Sequence, residues 1–155
     1  MKTDPEKKIV VGISGASGSL YAIRLIRALA LTRTRIYIVL TQGAETVMFH
    51  ELGVKPGQAF LNVLAGYGVD PDGLEIFSQG EMEKGPASGS FVHDGMVVCP
   101  CSMKSLAALA AGFADNLLTR SADVCLKEKR TLVVVPRETP LNLIHLENMA
   151  ALARA

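Results

Sequence analysis

The stretch IVVGISGASGS, residues 9–19, decides the fold of this chain. Its first five residues are apolar and mostly β-branched, which is typical of a buried strand. Gly15 and Gly18 follow within the next five positions, and residues 19–31 then carry apolar side chains at helical spacing. A strand that passes through a glycine-rich turn into a helix indicates an α/β domain with parallel strands.

Three further strand-like runs also end in a polar cluster. They are residues 36–40 before Thr41-Gln42-Gly43, residues 96–99 before Pro100-Cys101-Ser102, and residues 132–135 before Pro136-Arg137-Glu138-Thr139-Pro140. The carboxyl ends of parallel strands meet at one edge of a sheet, and ligands of doubly wound folds bind in the crevice there. We therefore expect all four clusters to line one binding site.

The rest of the chain continues the alternation of strands and helices. We predict a short strand at 74–77 and helices at 19–31, 44–51, 57–65, 102–111, 116–127 and 142–153. The fold class is α/β: one three-layer, doubly wound domain over residues 1–155, Rossmann- or flavodoxin-like, with a mainly parallel sheet. The chain stops at its last helix without Gly, Asn or Pro, and doubly wound domains of this kind usually add another strand and helix, so we expect a C-terminal segment to be missing from it.

Composition narrows the class of protein. The hydrophobic fraction of 49% fits either a sheet covered on both faces or surface buried between subunits. With a net charge of +1 and no long basic stretch, we expect no nucleic-acid or membrane partner. The three cysteines suit neither a disulfide framework nor a zinc site, so we expect buried thiols, no metal and a cytoplasmic location.

The first loop is typical of a phosphate-binding turn. Free amides at the start of a helix, together with the helix dipole, favour an anion, and the Ser14 and Ser17 hydroxyls add donors. A dinucleotide site would need a carboxylate about 20 residues further on, at the end of the second strand. That place holds Thr41-Gln42 instead, which favours a mononucleotide such as FMN. A tight turn without any ligand remains an alternative.

Two other clusters have a functional and a purely structural interpretation. Ser102 can serve as a helix N-cap or as a ligand contact. Lys129 and Arg130 are interpreted as a solvated helix end, where cations favour the dipole. Arg137 and Glu138 directly follow a buried strand, and we expect this acid and base to act on a ligand.

With these motifs, the chain resembles the flavin prenyltransferases, the UbiX-type proteins that serve UbiD-type aromatic-acid decarboxylases. The resemblance is carried by VGISGASG at 11–18, PASGS at 86–90, CPCSMKSL at 99–106, ADNLLTRSADVCLKEKR at 114–130 and VPRETPLNLIHLENM at 135–149. The last two stretches are highly specific. The glycine loop and the Pro-Cys-Ser junction are shared with FMN-dependent cysteine decarboxylases.

The resemblance implies FMN at an interface of a homo-oligomer, a dodecamer in the family, with dimethylallyl phosphate beside it and no metal. It implies FMN-binding roles for Gly15, Ala16, Ser17, Thr41, Ser102, Met103, Lys104, Ser105, Arg120 and Arg137. Ser88, Gly89, Lys127, Arg137 and Glu138 would surround the prenyl phosphate. The implied catalytic residues are Ser17, Glu51, Lys127 and Glu138, with Glu51 contributed from a neighbouring surface.

The implied reaction joins the dimethylallyl group to N5 and C6 of reduced FMN and releases phosphate. The product would be the prenylated cofactor of a UbiD-type decarboxylase. Lys127 and Arg137 would stabilise the leaving phosphate, and Glu138 would relay a proton. Two alternatives remain: an FMN-dependent cysteine or aromatic-acid decarboxylase, for which His93 is the only loosely suitable histidine, and a flavin-binding protein without catalysis.

Overall fold

The computed structural model describes residues 7–55 and 59–155, and these form a five-stranded parallel sheet with helices on both faces. The strand order is β3-β2-β1-β4-β5, and every neighbouring pair is parallel. The strands are β1 (Lys7–Ile13), β2 (Thr34–Leu40), β3 (Leu74–Ser78), β4 (Gly95–Cys101) and β5 (Thr131–Pro136). Because the order reverses beside β1, the loops after β1 and β4 border the crevice that forms at such a switch point.

Alternating side chains of each central strand supply two separate cores. Val11 and Ile13 of β1 point into one core, whereas Val10 between them lies in the other. The helices are α1 (Ser19–Ala30), α2 (Gln42–Leu52), α3 (Phe60–Gly66), α4 (Met103–Ala111), α5 (Leu117–Lys127) and α6 (Leu143–Arg154). Side chains of α1 to α3 fill the first core and those of α4 and α5 the second, so the predicted three layers are confirmed.

Three of the helix starts that face the carboxyl edge of the sheet, those of α2, α4 and α5, are fixed by the side chain of the N-cap residue. Thr41 caps α2 through a hydrogen bond from the Ala44 amide, and Ser102 caps α4 through one from the Ser105 amide. Asn116 closes a capping box at the start of α5. Such caps bind amides that a helix start leaves unpaired, and they fix the backbone where it enters each helix.

The predicted elements are all present, with ends that differ by a few residues. β1 and β2 begin two residues before their predicted starts, and β4 and β5 extend one or two residues at both ends, because residues such as Lys7 and Thr34 pair without being apolar. The predicted helix at 57–65 begins outside the described residues and is seen as α3. In the described part of the chain, no helix is long and apolar enough to cross a membrane.

Candidate active site

Ser14 joins the two loops at the centre of the carboxyl edge. Its side chain is buried, its hydroxyl donates to the carbonyl of Pro100 at 3.0 Å and accepts from the Ser102 amide at 2.8 Å. The Ser14 amide bonds to the same carbonyl. The expectation that Ser14 offers a hydroxyl to a phosphate is therefore wrong, because the hydroxyl is committed between β1 and β4.

Gly15 and Gly43 bring the loops after β1 and β2 into backbone contact. A Cβ atom on Gly15 would lie 2.9 Å from the Gly43 Cα, and one on Gly43 would lie 3.2 Å from the Gly15 Cα. Such distances leave no room for a side chain on the facing sides of these loops. The contact therefore requires glycine at both positions.

The amino terminus of α1 is occupied by a carboxylate of the same chain. The Gly18 amide donates to both Glu51 oxygens at 3.0 and 3.1 Å, and the Ser19 amide donates to one of them at 2.9 Å. Partial burial raises the pKa of Glu51, but hydrogen bonds from the Ser19 and Gly18 amides and the Ser17 hydroxyl outweigh this and lower it. The expected free amides at this helix start are thus taken by Glu51, next to Ser17.

A cleft of about 470 Å³ opens between these loops and α4 and α5. Its volume lies within the usual range of small-molecule sites, roughly 300–1,000 Å³. Hydroxyl, amide and ammonium groups predominate among its polar lining groups. The lining residues include one carboxylate, Asp115, together with Gly15, Thr41, Gln42, Gly43, Gln79, Ser102, Lys104, Ser105, Asn116 and Thr119.

A larger cavity of about 550 Å³ lies on the other side of Gln42, between β2, β3 and the helices α2 and α3. Met48, Phe49, Phe60 and Ile76 give it a mainly apolar wall. Gln42, Thr46 and Lys55 also line it, but it lies away from the loops after β1 and β4, where the strand order reverses. The smaller cleft is therefore the better candidate for a phosphate-bearing ligand.

A second polar cluster lies at the opposite, amino-terminal edge of the sheet. The Lys127 ammonium pairs with the Glu128 carboxylate at the end of α5. A Cβ atom on Gly89 would lie 2.9 Å from the Lys127 Nζ, so this amine sits directly against the turn at 88–90. The hydroxyls of Ser88 and Ser90 are 2.8 Å apart on that turn.

Arg120 lies on α5 beside the segment that leads to this turn. Its Nε donates to the Ala87 carbonyl at 3.2 Å, and its Nη1 donates to the Asp123 carboxylate at 2.7 Å. The side chain remains about one-third exposed. Arg120 therefore supports the segment at 85–87 and still reaches solvent from the middle of the helix.

The three cysteines and His93 are buried in the interior. The three cysteines are buried free thiols, as expected, and burial raises the pKa of Cys101 to about 12. His93 is buried just before β4, where its Nδ1 faces the Gly95 carbonyl, and burial lowers its pKa. Among residues 7–55 and 59–155, no group of His, Cys, Asp and Glu side chains is placed to hold a metal ion.

Comparison with known proteins decides which family this architecture belongs to. The family model described as Flavoprotein matches residues 1–155. The flavin prenyltransferase UbiX of Methanothermobacter thermautotrophicus is 44% identical over 148 residues, which are 96% of this chain and 72% of the relative. The flavin prenyltransferase LpdB of Lactiplantibacillus plantarum is 44% identical over 96% of this chain and 74% of its own length. The chain belongs to the flavin prenyltransferase family.

Solved structures of this family agree with the fold. AnUbiX (PadA1), in complex with FMN and dimethylallyl pyrophosphate, superposes with a TM-score of 0.85 and 39% identity, over 97% of this chain and 74% of that one. A dodecameric FMN-dependent UbiX-like decarboxylase from Escherichia coli O157:H7 gives a TM-score of 0.82 and 41% identity, over 95% and 75% of the two chains. The cysteine decarboxylase TvaF is only 18% identical and shares the fold alone, with a TM-score of 0.70 over 97% of this chain and 86% of that one.

Within one prenyltransferase chain, the residues implied by the resemblance fall into two groups, apart from Arg120 in α5. The first group lies at the carboxyl edge after β1, β2, β4 and β5: Gly15, Ala16, Ser17, Thr41, Ser102, Met103, Lys104, Ser105, Arg137 and Glu138, with Glu51 against the first loop. Ser88, Gly89 and Lys127 lie near the amino edge, on the segments that enter β4 and β5. At about 3.3 Å per residue, a six- or seven-residue strand separates these edges by roughly 20 Å.

Several polar residues of the cleft do not follow from the sequence argument. Gln79 lies just after β3, its Oε1 accepts from the Gln42 amide at 3.2 Å, and its carbonyl accepts from the Leu117 amide. Its position after a fifth parallel strand is the signal that could have found it. Asn116 lines the cleft while it caps α5.

Proposed function

We propose that this protein transfers a dimethylallyl group from dimethylallyl phosphate to reduced FMN and releases phosphate. Its product would be prenylated FMN, used by a UbiD-type decarboxylase in aromatic-acid decarboxylation. The observation that carries the proposal is the match, over 97% of the chain, to a structure that holds FMN and dimethylallyl pyrophosphate. The chemistry of this chain's own cleft supports it independently.

The cleft at the carboxyl edge fits FMN. Gly15, Thr41 and Gly43 line the cleft, and the close contact of the two glycines holds the ends of β1 and β2 together at its base. Thr41 uses its oxygen as a cap acceptor and keeps its own proton to donate, and Lys104 brings a positive charge to the same lining. Hydroxyl and ammonium donors of this kind suit a phosphate and a ribityl chain.

Residues of both edges act on the reacting groups in this proposal. Reduced FMN supplies the N5 and C6 atoms to which the dimethylallyl group is joined. Lys127 and Arg137 bind the prenyl phosphate and stabilise the negative charge that grows on it as it leaves. Glu138 holds or relays a proton, and Ser17 and Glu51, already in contact, are the candidate proton handlers at the flavin.

A site that includes both groups needs more than one subunit, because one chain holds them at opposite edges. We therefore propose a homo-oligomer in which Ser88, Gly89 and Lys127 of one subunit approach Arg137 and Glu138 of another. The dodecameric relative supports this assembly. So do the exposed apolar side chains of α6, among them Leu143 and Ile144, which are 68% and 65% exposed.

We propose further that residues 1–155 form a single flavoprotein domain, because both cores lie against one sheet. A cytoplasmic location is supported by the three unpaired buried cysteines, which a reducing compartment would preserve. The recipient of the product, a UbiD-type decarboxylase, is proposed from family membership alone.

The direct test is to incubate the purified oligomer with reduced FMN and dimethylallyl phosphate and to measure the flavin's mass and the phosphate released. The proposal expects a flavin heavier by one isoprene unit and one phosphate released per flavin modified. Unmodified FMN with no phosphate released would contradict it. A titration with FMN and with NADPH tests the cofactor separately, and selective NADPH binding would exclude FMN.

A further inference from the structure

Arg130 is not the solvated end of a helix that its sequence context predicts. Its guanidinium donates to the Phe91 carbonyl at 2.8 Å and to the Gly89 carbonyl at 2.9 Å, across about 40 residues of sequence. The side chain is half-buried between α5 and the segment that enters β4. Two donors of one rigid fork therefore hold two carbonyls of the same short turn.

Other contacts fix the remainder of that segment. The Phe91 ring packs edge-on against Tyr37 of β2, with ring centroids 4.8 Å apart. A Cβ atom on Gly85 would lie 2.6 Å from the Phe91 ring, so the two ends of the segment 85–91 pack directly against each other. The Arg120 bond to Ala87 adds a fixed point between them. Arg130 adds two further contacts, to the Gly89 and Phe91 carbonyls, where the turn lies against Lys127.

The orientation of one peptide group links Arg130 to the hydroxyls of the turn. In a trans peptide the carbonyl and the following N–H point in opposite directions. Because the Gly89 carbonyl points to Arg130, the Ser90 amide points away from it, and it donates to the Ser88 hydroxyl at 3.3 Å. Arg130 thereby sets the position of Ser88 and its neighbour Ser90 relative to Lys127.

The turn brings together groups suited to an oxyanion. The Ser88 and Ser90 hydroxyls, 2.8 Å apart, lie on either side of Gly89. The Lys127 ammonium and the Glu128 carboxylate that pairs with it both lie against that glycine, so a phosphate would replace Glu128 as the partner of Lys127. The absence of a side chain at Gly89 is what lets the ammonium approach. Hydroxyls and an ammonium at one turn match the donors that a phosphate monoester requires.

We propose that Arg130 is a positioning residue for the prenyl phosphate: it holds the turn at 88–90 so that Ser88 and Lys127 meet the phosphate in one geometry. This inference rests on the proposed function. Arg130 itself does not bind the phosphate, because its guanidinium is directed at the two carbonyls. It thus differs from Lys127 and Arg137, which carry charge to the substrate.

The test compares Arg130→Gln with Lys129→Gln in the purified oligomer. Both substitutions remove one positive charge from adjacent positions, but only the first removes the contacts to the turn. A misplacement of about 1 Å in a binding group can cost roughly 100-fold, so we expect the KM for dimethylallyl phosphate to rise between about 10-fold and 100-fold in Arg130→Gln. The dissociation constant for FMN, measured by fluorescence quenching, should stay unchanged, and Lys129→Gln should match the unmodified protein.

Arg130→Lys serves as the conservative variant and as a control for folding. It keeps the charge and one donor, so its KM should lie between those of the unmodified protein and Arg130→Gln, at the same melting temperature. Equal KM values in Arg130→Gln and Lys129→Gln would overturn the inference while the proposed function stands. A parallel loss of FMN affinity and substrate affinity would also overturn it, since it would show a general structural role. If the unmodified protein makes no prenylated flavin, both proposals fail.

Discussion

The Ser19 amide at the start of α1 donates to the Glu51 carboxylate at the end of α2, at a distance of 2.9 Å. This contact places a negative charge at the positive end of a helix dipole, where a phosphate would otherwise bind. It follows that the first glycine loop serves to hold Glu51 and Ser17 together at the carboxyl edge. We expect the phosphate of FMN to use the donors of Thr41 and Lys104 instead.

We predict that Glu51→Gln destabilises the fold at neutral pH by about 0.5–1 kcal/mol, the usual worth of a charge at a helix terminus. Because the pKa of Glu51 is lowered from its ordinary value of 4.5, its contribution is complete above pH 4.5 and is lost as the pH falls through the lower folded-state value. Urea denaturation should therefore separate variant and unmodified protein at pH 7 and show them converging well below pH 4.5. Glu147→Gln, on the exposed side of α6, is the matched control. A difference that persists unchanged in acid would contradict the assignment.

The two serines of the glycine loop should behave differently when each is changed to alanine. Ser14→Ala removes the buried hydroxyl that bonds the Pro100 carbonyl and the Ser102 amide, and should cost about 1–3 kcal/mol of unfolding free energy. Ser17→Ala acts at an exposed position and should change stability by less than about 0.5 kcal/mol. Chemical denaturation of both variants checks this. Equal losses would remove Ser14 from its role as the link between the loops.

The glycine contact at the carboxyl edge should be intolerant of even one methyl group. In Gly15→Ala the new Cβ would meet backbone atoms of Gly43, which cannot rotate away, so we expect a loss of about 1–3 kcal/mol in stability. The loops would separate, and FMN affinity should fall by roughly 10-fold or more, since about 1.4 kcal/mol corresponds to tenfold. Gly66→Ala, where a Cβ has open space, is the control. Normal FMN binding by Gly15→Ala would show that the contact does not shape the cleft.

Strand periodicity and local capping signals were enough to predict the sheet. Each strand carries its own apolar run, and Ser102, Asn116 and Asn142 stand at the helix starts that their side chains cap. The roles of Ser14, Glu51 and Arg130 could not be predicted in this way. Their partners lie 32 to 88 residues away along the chain, so only the folded arrangement assigns them.

The division of the site residues between two edges was likewise beyond the sequence argument. Arg137 follows β5 and Lys127 precedes it. The two residues are only ten positions apart in sequence, but the whole length of the strand separates them in space. The family resemblance assigns both residues to the same ligand, but it does not say which subunit supplies each of them. The parallel topology supplies that distinction, because it fixes which edge each end of a strand reaches.

Lys129 has the backbone conformation of a helix-terminating glycine, with φ at 55°. A non-glycine residue is strained there, so Lys129→Gly should raise the unfolding free energy by about 0.5–1 kcal/mol. Lys129→Gln removes the charge but keeps the strain, and should leave stability unchanged. The urea midpoints of the two variants distinguish the effect of backbone strain on stability from the effect of the lysine charge. A gain in Lys129→Gln as large as that in Lys129→Gly would point to relief of charge repulsion near Arg130 instead.

The proposed sharing of the site between subunits predicts that two inactive variants can restore each other. Lys127→Ala and Arg137→Ala should each abolish most of the prenyl transfer, because each removes a positive charge that stabilises the leaving phosphate. In oligomers reassembled from equal amounts of both, a site that takes Lys127 from one subunit and Arg137 from another is intact in about one quarter of cases if the subunits mix at random. Activity near one quarter of the unmodified value should therefore return on mixing.

A double variant carrying both changes, mixed with Lys127→Ala, should recover no activity, and this mixture controls for refolding effects. If the mixed single variants stay inactive although mass spectrometry shows that they have mixed, Lys127 and Arg137 do not act in one shared site, and Lys127 must bind elsewhere.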